Sequence, residues 1–409
     1  MDKIAIIGGG AAGMMASIFA ARRGAEVHVY EKNEKTGKKL YITGKGRCNL
    51  TNACDMEELL ESVKSNKKFL FSAFYGFTNE NAMDFFEKEG LKLKVERGNR
   101  VFPLSDRSAD VLDTLRRSMK QAGVQIHLNT EVKKVLKNAT GFTLQLADGT
   151  KDTADKVMVA TGGISYESTG STGDGYRFAE EFGLKVTECC PSLVPFNVRE
   201  DWVKELQGLS LKNVSILIKD GKKKLFSDFG EMMFTHFGVT GPLILTASSV
   251  CARKIREKEV KLYLDLKPAL TKEQLDARIL REFDANANKQ FRNVLPSFLP
   301  SKLVSVMYEL CGIAPEKRIH DITKEERERF LSCMKELELT VTGLRGYNEA
   351  IITKGGVSVK EIDPSTMESK TVPGLYFIGE VLDLDAVTGG FNLQIAWSTA
   401  VAAANAATE

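Results

Sequence analysis

Three glycines near the start of the chain have the spacing of a phosphate-binding turn. Gly8, Gly10 and Gly13 come directly after the apolar residues 4–7. In this pattern Gly8 permits a tight turn, Gly10 lets the backbone approach a pyrophosphate, and Gly13 lets the next helix pack closely on the strand. The amides and dipole of that helix N-terminus favour bound phosphate. The spacing therefore predicts a dinucleotide site.

A carboxylate follows at the position that such a site requires. Glu31 lies eighteen residues beyond Gly13, at the end of a second apolar strand over residues 26–31. A carboxylate there accepts hydrogen bonds from ribose hydroxyls. A glycine-rich loop without a ligand is the alternative, but the strand, turn, helix and acidic residue all stand in register.

A second glycine-rich region, near residue 380, favours FAD over NAD. Residues 375–383 form an apolar strand that ends in Gly379, Glu380 and Asp383, where an α/β sheet presents ligand-binding groups. Residues 388–392 then open the last helix, whose N-terminus suits the pyrimidine edge of a flavin, because reduction accumulates negative charge there. A helix that only packs is the alternative. No second G-x-G-x-x-G follows a strand, so a dedicated NAD(P)H domain is not expected.

The elements that must position these groups come from both ends of the chain. The patterns predict an α/β, Rossmann-like FAD-binding domain over residues 1–190 and 344–409. Residues 191–343 read as an inserted β-barrel and helical domain, with strands near 214–218 and 260–266 and helices near 271–283, 301–310 and 324–337. In the first part, a helix over 110–122 and strands over 124–128, 131–136, 142–146 and 157–160 are expected.

Composition narrows the class of protein. The 409 residues carry 57 basic and 54 acidic side chains, a net charge of +3. A small-molecule partner therefore fits better than nucleic acid. The seven cysteines include no C-x-x-C, so neither a disulfide framework nor a metal site is expected, and a cytoplasmic location is favoured. Residues 4–21 lack charge, but four glycines argue against a membrane span.

Two side chains outside the fingerprint could take part in chemistry. His236 precedes Gly241-Pro242 in a loop and could donate a proton or anchor a substrate; a histidine that only bonds the loop backbone is the alternative. Cys48 could suggest a redox-active disulfide, yet its nearest cysteine, Cys54, is six positions away, which disfavours that role. Arg47 could hold an anion or simply face solvent.

These motifs together resemble the two-dinucleotide-binding-domain flavoproteins, and more narrowly the bacterial BaiN-like, or aminoacetone oxidase-like, family. The resemblance covers essentially the whole chain. Its further motifs are residues 43–52, 100–103, 160–163, 170–176, 191–195, 234–238 and 388–392. Thr43 and Lys45 stand where the family often has small residues, and Thr240 stands where serine is usual.

The resemblance implies an extended FAD with defined contacts. Gly10, Ala12 and Gly13 would meet the pyrophosphate, Glu31 the adenosine ribose, and the Val132 backbone the adenine. Arg47, Cys48 and Asn49 would lie along the flavin, Gly379, Glu380 and Asp383 by the ribitol and phosphates, and Asn392 and Leu393 at the isoalloxazine edge. The full set of expected cofactor residues is Gly8, Gly10, Ala12, Gly13, Glu31, Lys32, Thr43, Gly44, Arg47, Cys48, Asn49, Val132, Ala160, Thr161, Gly162, Gly379, Glu380, Asp383, Gly389, Gly390, Asn392 and Leu393.

The sequence thus predicts an FAD-dependent oxidoreductase that transfers hydride between the flavin and a small organic substrate. NADH or NADPH would visit transiently as donor, or oxygen would accept electrons. A flavin-binding redox sensor or scaffold with little turnover is one alternative. An RNA-modifying flavoprotein is another, disfavoured by the small net charge. No nucleic-acid or membrane partner is expected, and the sequence does not indicate the oligomeric state.

Overall fold

The computed structural model describes residues 2–409, which form two compact units: residues 2–192 with 347–409, and residues 193–346. Their strands are β1 Lys3–Ile7, β2 Glu26–Tyr30, β3 Thr51–Asn52, β4 Leu93–Glu96, β5 Arg100–Pro103, β6 Gln125–His127, β7 Val132–Lys137, β8 Phe142–Leu146, β9 Lys151–Ala154, β10 Lys156–Val159, β11 Val186–Ser192, β12 Phe196–Val198, β13 Ser210–Asp220, β14 Lys223–Thr235, β15 Gly238–Thr240, β16 Val260–Asp265, β17 Leu337–Leu344, β18 Ile352–Val357 and β19 Leu375–Phe377. Their helices are α1 Ala11–Arg22, α2 Lys38–Ile42, α3 Met56–Ser62, α4 Phe71–Gly76, α5 Asn79–Lys88, α6 Ser108–Gln121, α7 Asp174–Glu181, α8 Pro242–Glu257, α9 Lys272–Ala285, α10 Phe291–Val294, α11 Ser301–Cys311, α12 Lys324–Lys335 and α13 Phe391–Ala407.

A five-stranded parallel sheet is the centre of the first unit. Its order is β19-β10-β1-β2-β6, and every neighbouring pair is parallel. Ile4, Ala5 and Ile6 of β1 are fully buried, as expected for a strand covered on both faces. The strand order reverses between β1 and β10, and ligands of such sheets bind at the carboxyl ends of the strands beside that point. The Rossmann-like prediction is confirmed.

The carboxyl-terminal residues complete this sheet and its core. Strand β19 pairs with β10, and α13 packs against α1. Helix α13 is apolar on nearly all sides because the unit surrounds it, and its Trp397 Nε1–H donates to the Leu50 carbonyl at 2.8 Å. The uncharged stretch over residues 4–21 forms β1, the turn and most of α1. Among the described residues, no helix combines the length and apolarity that crossing a membrane requires.

Three smaller sheets complete the first unit: β7-β8-β9, β3-β5-β4 and the pair β11-β18. Strand β8 has the bounds expected from its alternating pattern, and α6 begins two residues earlier than expected. Strand β11 pairs with β18 as far as Ser192, opposite Ile352. The unit boundaries therefore fall after Ser192 and after Gly346, where the sequence placed them after 190 and 343.

The second unit is a closed antiparallel barrel with helices. The barrel order is β12-β15-β14-β13-β16-β17, and Val214, Ile216 and Ile218 of β13 point into its core. Helices α9, α11 and α12 occupy the three regions for which the sequence predicts helices, and Thr271 and Thr323 cap α9 and α12 with capping boxes. The predicted fold class of barrel plus helical subdomain is confirmed.

Candidate cofactor site and family

A cleft in the first unit lies at the carboxyl ends of β1 and β10. It encloses about 1310 Å³, counted with its opening to solvent. Ile7 at the end of β1 and Gly8 after it line the cleft, as do Ala160 and Thr161, which follow β10. This is the crevice at which the strand order reverses, so the fold itself places the cleft where a nucleotide would bind.

The glycine-rich turn is held by contacts that only small residues allow. Gly8 has φ +105°, and a Cβ on it would lie 2.5 Å from the Ala160 carbonyl oxygen. A Cβ on Gly13 would lie 1.9 Å from the Gly8 carbonyl oxygen. Gly10 differs, because nothing lies within 4 Å of its Cβ position and it lines the cleft. Gly8 and Gly13 therefore shape the turn, and Gly10 leaves space beside it.

The Glu31 carboxylate joins this turn to the end of β2. One oxygen accepts the Gly9 N–H at 2.9 Å, and the other accepts the Asn33 backbone N–H at 2.9 Å and side-chain amide at 2.7 Å. Glu31 is 7% exposed and still lines the cleft. A carboxylate offers about four lone-pair positions, so one stays available for a hydroxyl.

Two observations test whether these residues fit a pyrophosphate cofactor. Gly10 occupies the N-cap position of α1 and has no side chain to cap it, so the first N–H groups of the helix have no acceptors inside it. The Thr161 hydroxyl is buried, lines the cleft and has no hydrogen-bond partner within the described residues. Both features are unsatisfied donors that an anionic, oxygen-rich ligand would satisfy. The residues fit the group.

The lysines that line the cleft are already paired. Lys32 lies 2.7 Å from Asp174, Lys38 lies 3.2 Å from Glu34, and Lys39 lies 2.6 Å from Glu380. Glu380 also accepts the Thr353 N–H at 2.9 Å. Burial acts to raise the pKa of Asp174, but the Lys32 contact outweighs it and the pKa is lowered. The site therefore offers backbone N–H groups for phosphate, and its cations stabilise neighbouring carboxylates.

The start of α13 forms a further part of the cleft lining. Gly389 and Gly390 have φ of +133° and +96°, and a Cβ on Gly390 would lie 2.3 Å from the Thr51 carbonyl oxygen. The Asn392 side chain accepts the Ala386 N–H at 2.9 Å and donates to the Ala386 carbonyl at 2.8 Å. The loop before α13 is thereby fixed to the helix start, and Asn392 and Leu393 line the cleft.

The structure brings together thirteen of the residues expected at a cofactor. They line the cleft: Gly8, Gly10, Ala12, Glu31, Lys32, Thr43, Val132, Ala160, Thr161, Gly162, Glu380, Asn392 and Leu393. The others lie behind the lining or away from it: Gly13, Gly44, Arg47, Cys48, Asn49, Gly379, Asp383, Gly389 and Gly390. Gly379 is an example, because a Cβ there would lie 2.9 Å from Ala12 Cβ, so its role is close packing.

The Arg47-Cys48-Asn49 stretch is held by the protein itself. Arg47 lies 2.5 Å from both Glu96 and Asp106, and its guanidinium covers the Phe102 ring at 4.2 Å. Cys48 is fully buried, and burial raises the pKa of its thiol to about 12. Asn49 Oδ1 is buried without a partner among the described residues. Arg47 therefore sits in a surface charge cluster, and neither it nor Cys48 reaches the lining.

His236 lies in the second unit, in the turn between β14 and β15. Its side chain is exposed, and its ring packs edge-on against Phe237 with centroids 5.0 Å apart. Gly241 and the start of α8 follow, as the sequence suggested.

Several cleft residues were not found from the sequence. Lys38, Lys39 and Leu40 of α2, Thr130 and Glu131 before β7, and Ile351 and Ile352 of the β18 region all line the cleft. No local motif marks them, because tertiary packing brings them to the strand ends. For Ser171 and Asp174 the glycine-rich stretch 170–176 was a usable signal.

Sequence comparison identifies the family. Residues 2–406 match the model described as the HI0933-like protein Rossmann domain. The chain belongs to the HI0933-like family. This agrees with the BaiN-like flavoprotein class that the motifs indicated, and the chain is an oxidoreductase of that class.

Two curated relatives are similar over nearly their whole length. A 3-dehydro-bile acid delta(4,6)-reductase of Clostridium scindens is 33% identical over 413 aligned positions, covering 100% of both chains. A ribosomal RNA dihydrouridine synthase of Escherichia coli is also 33% identical, covering 98% of this chain and 96% of that protein. One relative is thus named as a reductase, and the other as a synthase of dihydrouridine.

A solved structure shares the fold. The 3-ketosteroid delta1-dehydrogenase of Sterolibacterium denitrificans superposes with a TM-score of 0.54 over 100% of both chains, at 12% identity. At this identity the likeness supports the architecture and nothing further.

Proposed function

We propose that this HI0933-like protein binds FAD in the cleft and uses it to reduce a carbon–carbon double bond conjugated to a carbonyl group. The observation that carries the proposal is the combination, in one cleft, of the uncapped start of α1, the Glu31 carboxylate and the start of α13. These are groups for a pyrophosphate, a ribose and an electron-rich ring edge, respectively.

Each end of the cleft then has a distinct role. Glu31 and Val132 would hold the adenosine, Gly10 and Ala12 the pyrophosphate, and Asn392 and Leu393 the flavin edge. FAD, when bound, would supply the hydride chemistry. The chain's own residues bind and orient it, and the fixed Asn392–Ala386 contacts keep the start of α13 from shifting.

The reaction class rests on the two relatives. One relative is named as a reductase of a 3-dehydro bile acid, and the other forms dihydrouridine, which requires reduction of a carbon–carbon double bond of the uracil ring. In each substrate the double bond is conjugated to a carbonyl, so one carbon can accept a hydride and its neighbour a proton. With no second nucleotide fingerprint in the chain, NADH or NADPH would be a transient donor.

Absorption spectroscopy tests the first step. The purified chain, or the chain after addition of FAD, is expected to show bound-flavin bands. Anaerobic NADH or NADPH should bleach them, and a 3-oxo-delta(4,6) bile acid should restore the oxidised spectrum. The absence of flavin bands would refute the proposal. Return of the oxidised spectrum only after air is admitted would indicate an oxidase. If neither nicotinamide nucleotide bleaches the bands, the protein is a redox sensor or uses another electron donor.

His236 is the proposed proton donor or substrate anchor of this reaction. It stands exposed in the second unit beside Phe237. If His236→Ala leaves the rate of substrate-dependent flavin reoxidation unchanged, its role is structural.

An RNA base is a second candidate for the substrate whose double bond is reduced, and a row of lysines on the barrel favours it. Lys219 of β13 stands in register with Lys224 of β14 on one side and with Lys261 of β16 on the other. Like charges directly opposite each other destabilise a sheet. Lys261 is relieved by Glu338 at 2.6 Å, and Lys219 lies over the Tyr263 ring at 5.2 Å.

The charge of the second unit strengthens this candidate. It contains 26 basic and 21 acidic residues, so the small net charge of the whole chain conceals an excess of +5 on residues 193–346. Lys219 lies beside Tyr263, and Phe229, elsewhere on β14, is 57% exposed. Cations and exposed aromatic rings are the groups against which single-stranded RNA places its phosphates and stacks its bases.

Fluorescence anisotropy with a single-stranded RNA tests this surface. Lys219→Ala/Lys224→Ala should weaken binding about tenfold and reduce its salt dependence, whereas Lys272→Ala, a surface lysine outside the row, should change it less than twofold. Equal binding by all three proteins would leave the small-molecule substrate as the sole candidate.

A further inference from the structure

A buried ion pair lies behind one wall of the cleft. Lys354 Nζ is 3.0 Å and 3.3 Å from the two carboxylate oxygens of Asp385, and it donates to Ser65 Oγ at 2.9 Å. The Asp385 side chain is fully buried, and that of Lys354 is 11% exposed. Buried ion pairs add little net stability because both charges lose hydration. A contribution to folding stability therefore does not explain why the pair is buried at this position.

The pair joins segments that form the α13 end of the cleft. Lys354 is two residues beyond Ile352 on β18, so both side chains point to the same face, and Ile352 lines the cleft. Asp385 follows Leu384, which also lines it. Ser65 belongs to a third segment, after α3.

Backbone contacts reinforce this junction. The Lys64 N–H donates to the Asp385 carbonyl at 2.7 Å, and the Val387 N–H donates to the Ser62 carbonyl at 3.0 Å. Asn392 then holds Ala386, the residue after Asp385. A shift of Asp385 would therefore reach Asn392 through a single residue.

The adenosine end of the cleft has separate supports. Glu31 fixes it through Gly9 and Asn33, and neither residue contacts the ion pair. A disturbance at Asp385 should therefore be confined to the α13 end.

We propose that Lys354 and Asp385 are a positioning pair for the isoalloxazine half of the cofactor, which they arrange without touching it. This inference rests on the proposed FAD function. Removal of the ion pair should therefore weaken binding of the flavin half of FAD and leave binding of the adenine half unchanged.

Two probes separate the halves. FAD occupies the whole cleft, whereas ADP contacts only the adenosine and phosphate end. In Lys354→Met and in Asp385→Asn, FAD affinity measured by fluorescence quenching should fall at least tenfold, and ADP affinity measured by calorimetry should stay within twofold. Lys67→Met, which removes the exposed ion pair with Glu61, is the control and should change neither.

Each outcome decides the matter. Equal losses for FAD and ADP, or unchanged FAD affinity, would overturn the inference. If a single variant does not fold, Lys354→Met/Asp385→Leu removes both charges, and wild-type FAD affinity in that protein would overturn it too. Failure of the unaltered chain to bind FAD while binding ADP would instead count against the proposed function.

Discussion

The Glu31 carboxylate accepts the Gly9 N–H at 2.9 Å, and this bond ties the end of β2 to the glycine-rich turn. The same side chain binds Asn33, so Glu31 shapes the cleft as well as facing it. Its functional and structural roles cannot be separated by position, only by the size and kind of effect that its replacement causes.

Glu31→Gln should weaken FAD binding about tenfold to a hundredfold. The amide nitrogen of glutamine would face one of the N–H donors, and hydrogen bonds to charged groups contribute about 1.5–3 kcal/mol. Titration of flavin fluorescence measures the loss. Glu34→Gln, in the same loop but outside the cleft lining, should bind FAD normally; a similar loss there would contradict a specific role for Glu31.

Alanine at Gly10 and at Gly13 should have opposite consequences. Gly10→Ala finds open space and should leave the melting temperature within about 2 °C, as for neutral surface changes, yet lower FAD affinity at least tenfold. Gly13→Ala places a methyl group 1.9 Å from the Gly8 oxygen and should lower the melting temperature by several degrees, although alanine favours helix. Equal melting temperatures for both variants would refute this division of roles.

Acid should destabilise the protein through a histidine pair. His28 Nδ1 lies 3.0 Å from His127 Nε2, and His28 Nε2 lies 2.9 Å from Glu26. Burial, and then the charge of His28, lower the pKa of His127, while Asp152 opposes and Lys3 supports the shift. The unfolded chain then binds this proton more readily, so stability falls as the pH drops below about 6.5 and levels off below the lowered pKa.

Denaturant unfolding at pH 7.5 and pH 5.5 measures this loss. His127→Gln should lose less stability between the two values than the unaltered protein, because carboxylate protonation affects both alike. An identical loss in the two proteins would show that His127 does not contribute to the pH dependence of stability in this range.

The cysteines should be unreactive in the folded protein. Burial raises the pKa of Cys48 and Cys251 to about 12 and that of Cys54, Cys189 and Cys311 to about 11. A thiol of pKa 11 is about one part in a thousand thiolate at pH 8. A colorimetric thiol reagent should react slowly with native protein and find seven thiols after unfolding. Rapid reaction of two thiols in the native protein would instead support the hypothesis that Cys48 forms a redox-active disulfide.

The sequence predicted several elements from their periodicity, but it missed α5, of ten residues, and all of the sixteen-residue α8 except its start. The alternation over 142–146 matches β8, and the helical pattern over 324–337 matches α12 to within two residues. Helices α3 and α4 were not predicted, since seven and six residues hold too few turns for a periodic signal. The order of strands in the barrel could not be predicted either, because it depends on pairings between strands that are distant in sequence.

The part of the candidate cofactor site near α1 could be predicted from the sequence because its residues form a local motif. Gly8, Gly10 and Glu31 form a local motif, and all three line the cleft. Arg47 shows the opposite case. Its partners Glu96 and Asp106 stand 49 and 59 positions away, and only the fold brings these charges together.

The parallel sheet has a consequence for synthesis of the chain. Strand β19 and helix α13 come from residues 375–407, yet they cover β10 and α1, which are made early. Until residues 375–407 leave the ribosome, β10 remains an open edge and the wall formed by Asn392 and Leu393 is missing. The barrel of residues 193–346 is thus synthesised before the strand and helix that complete the nucleotide cleft.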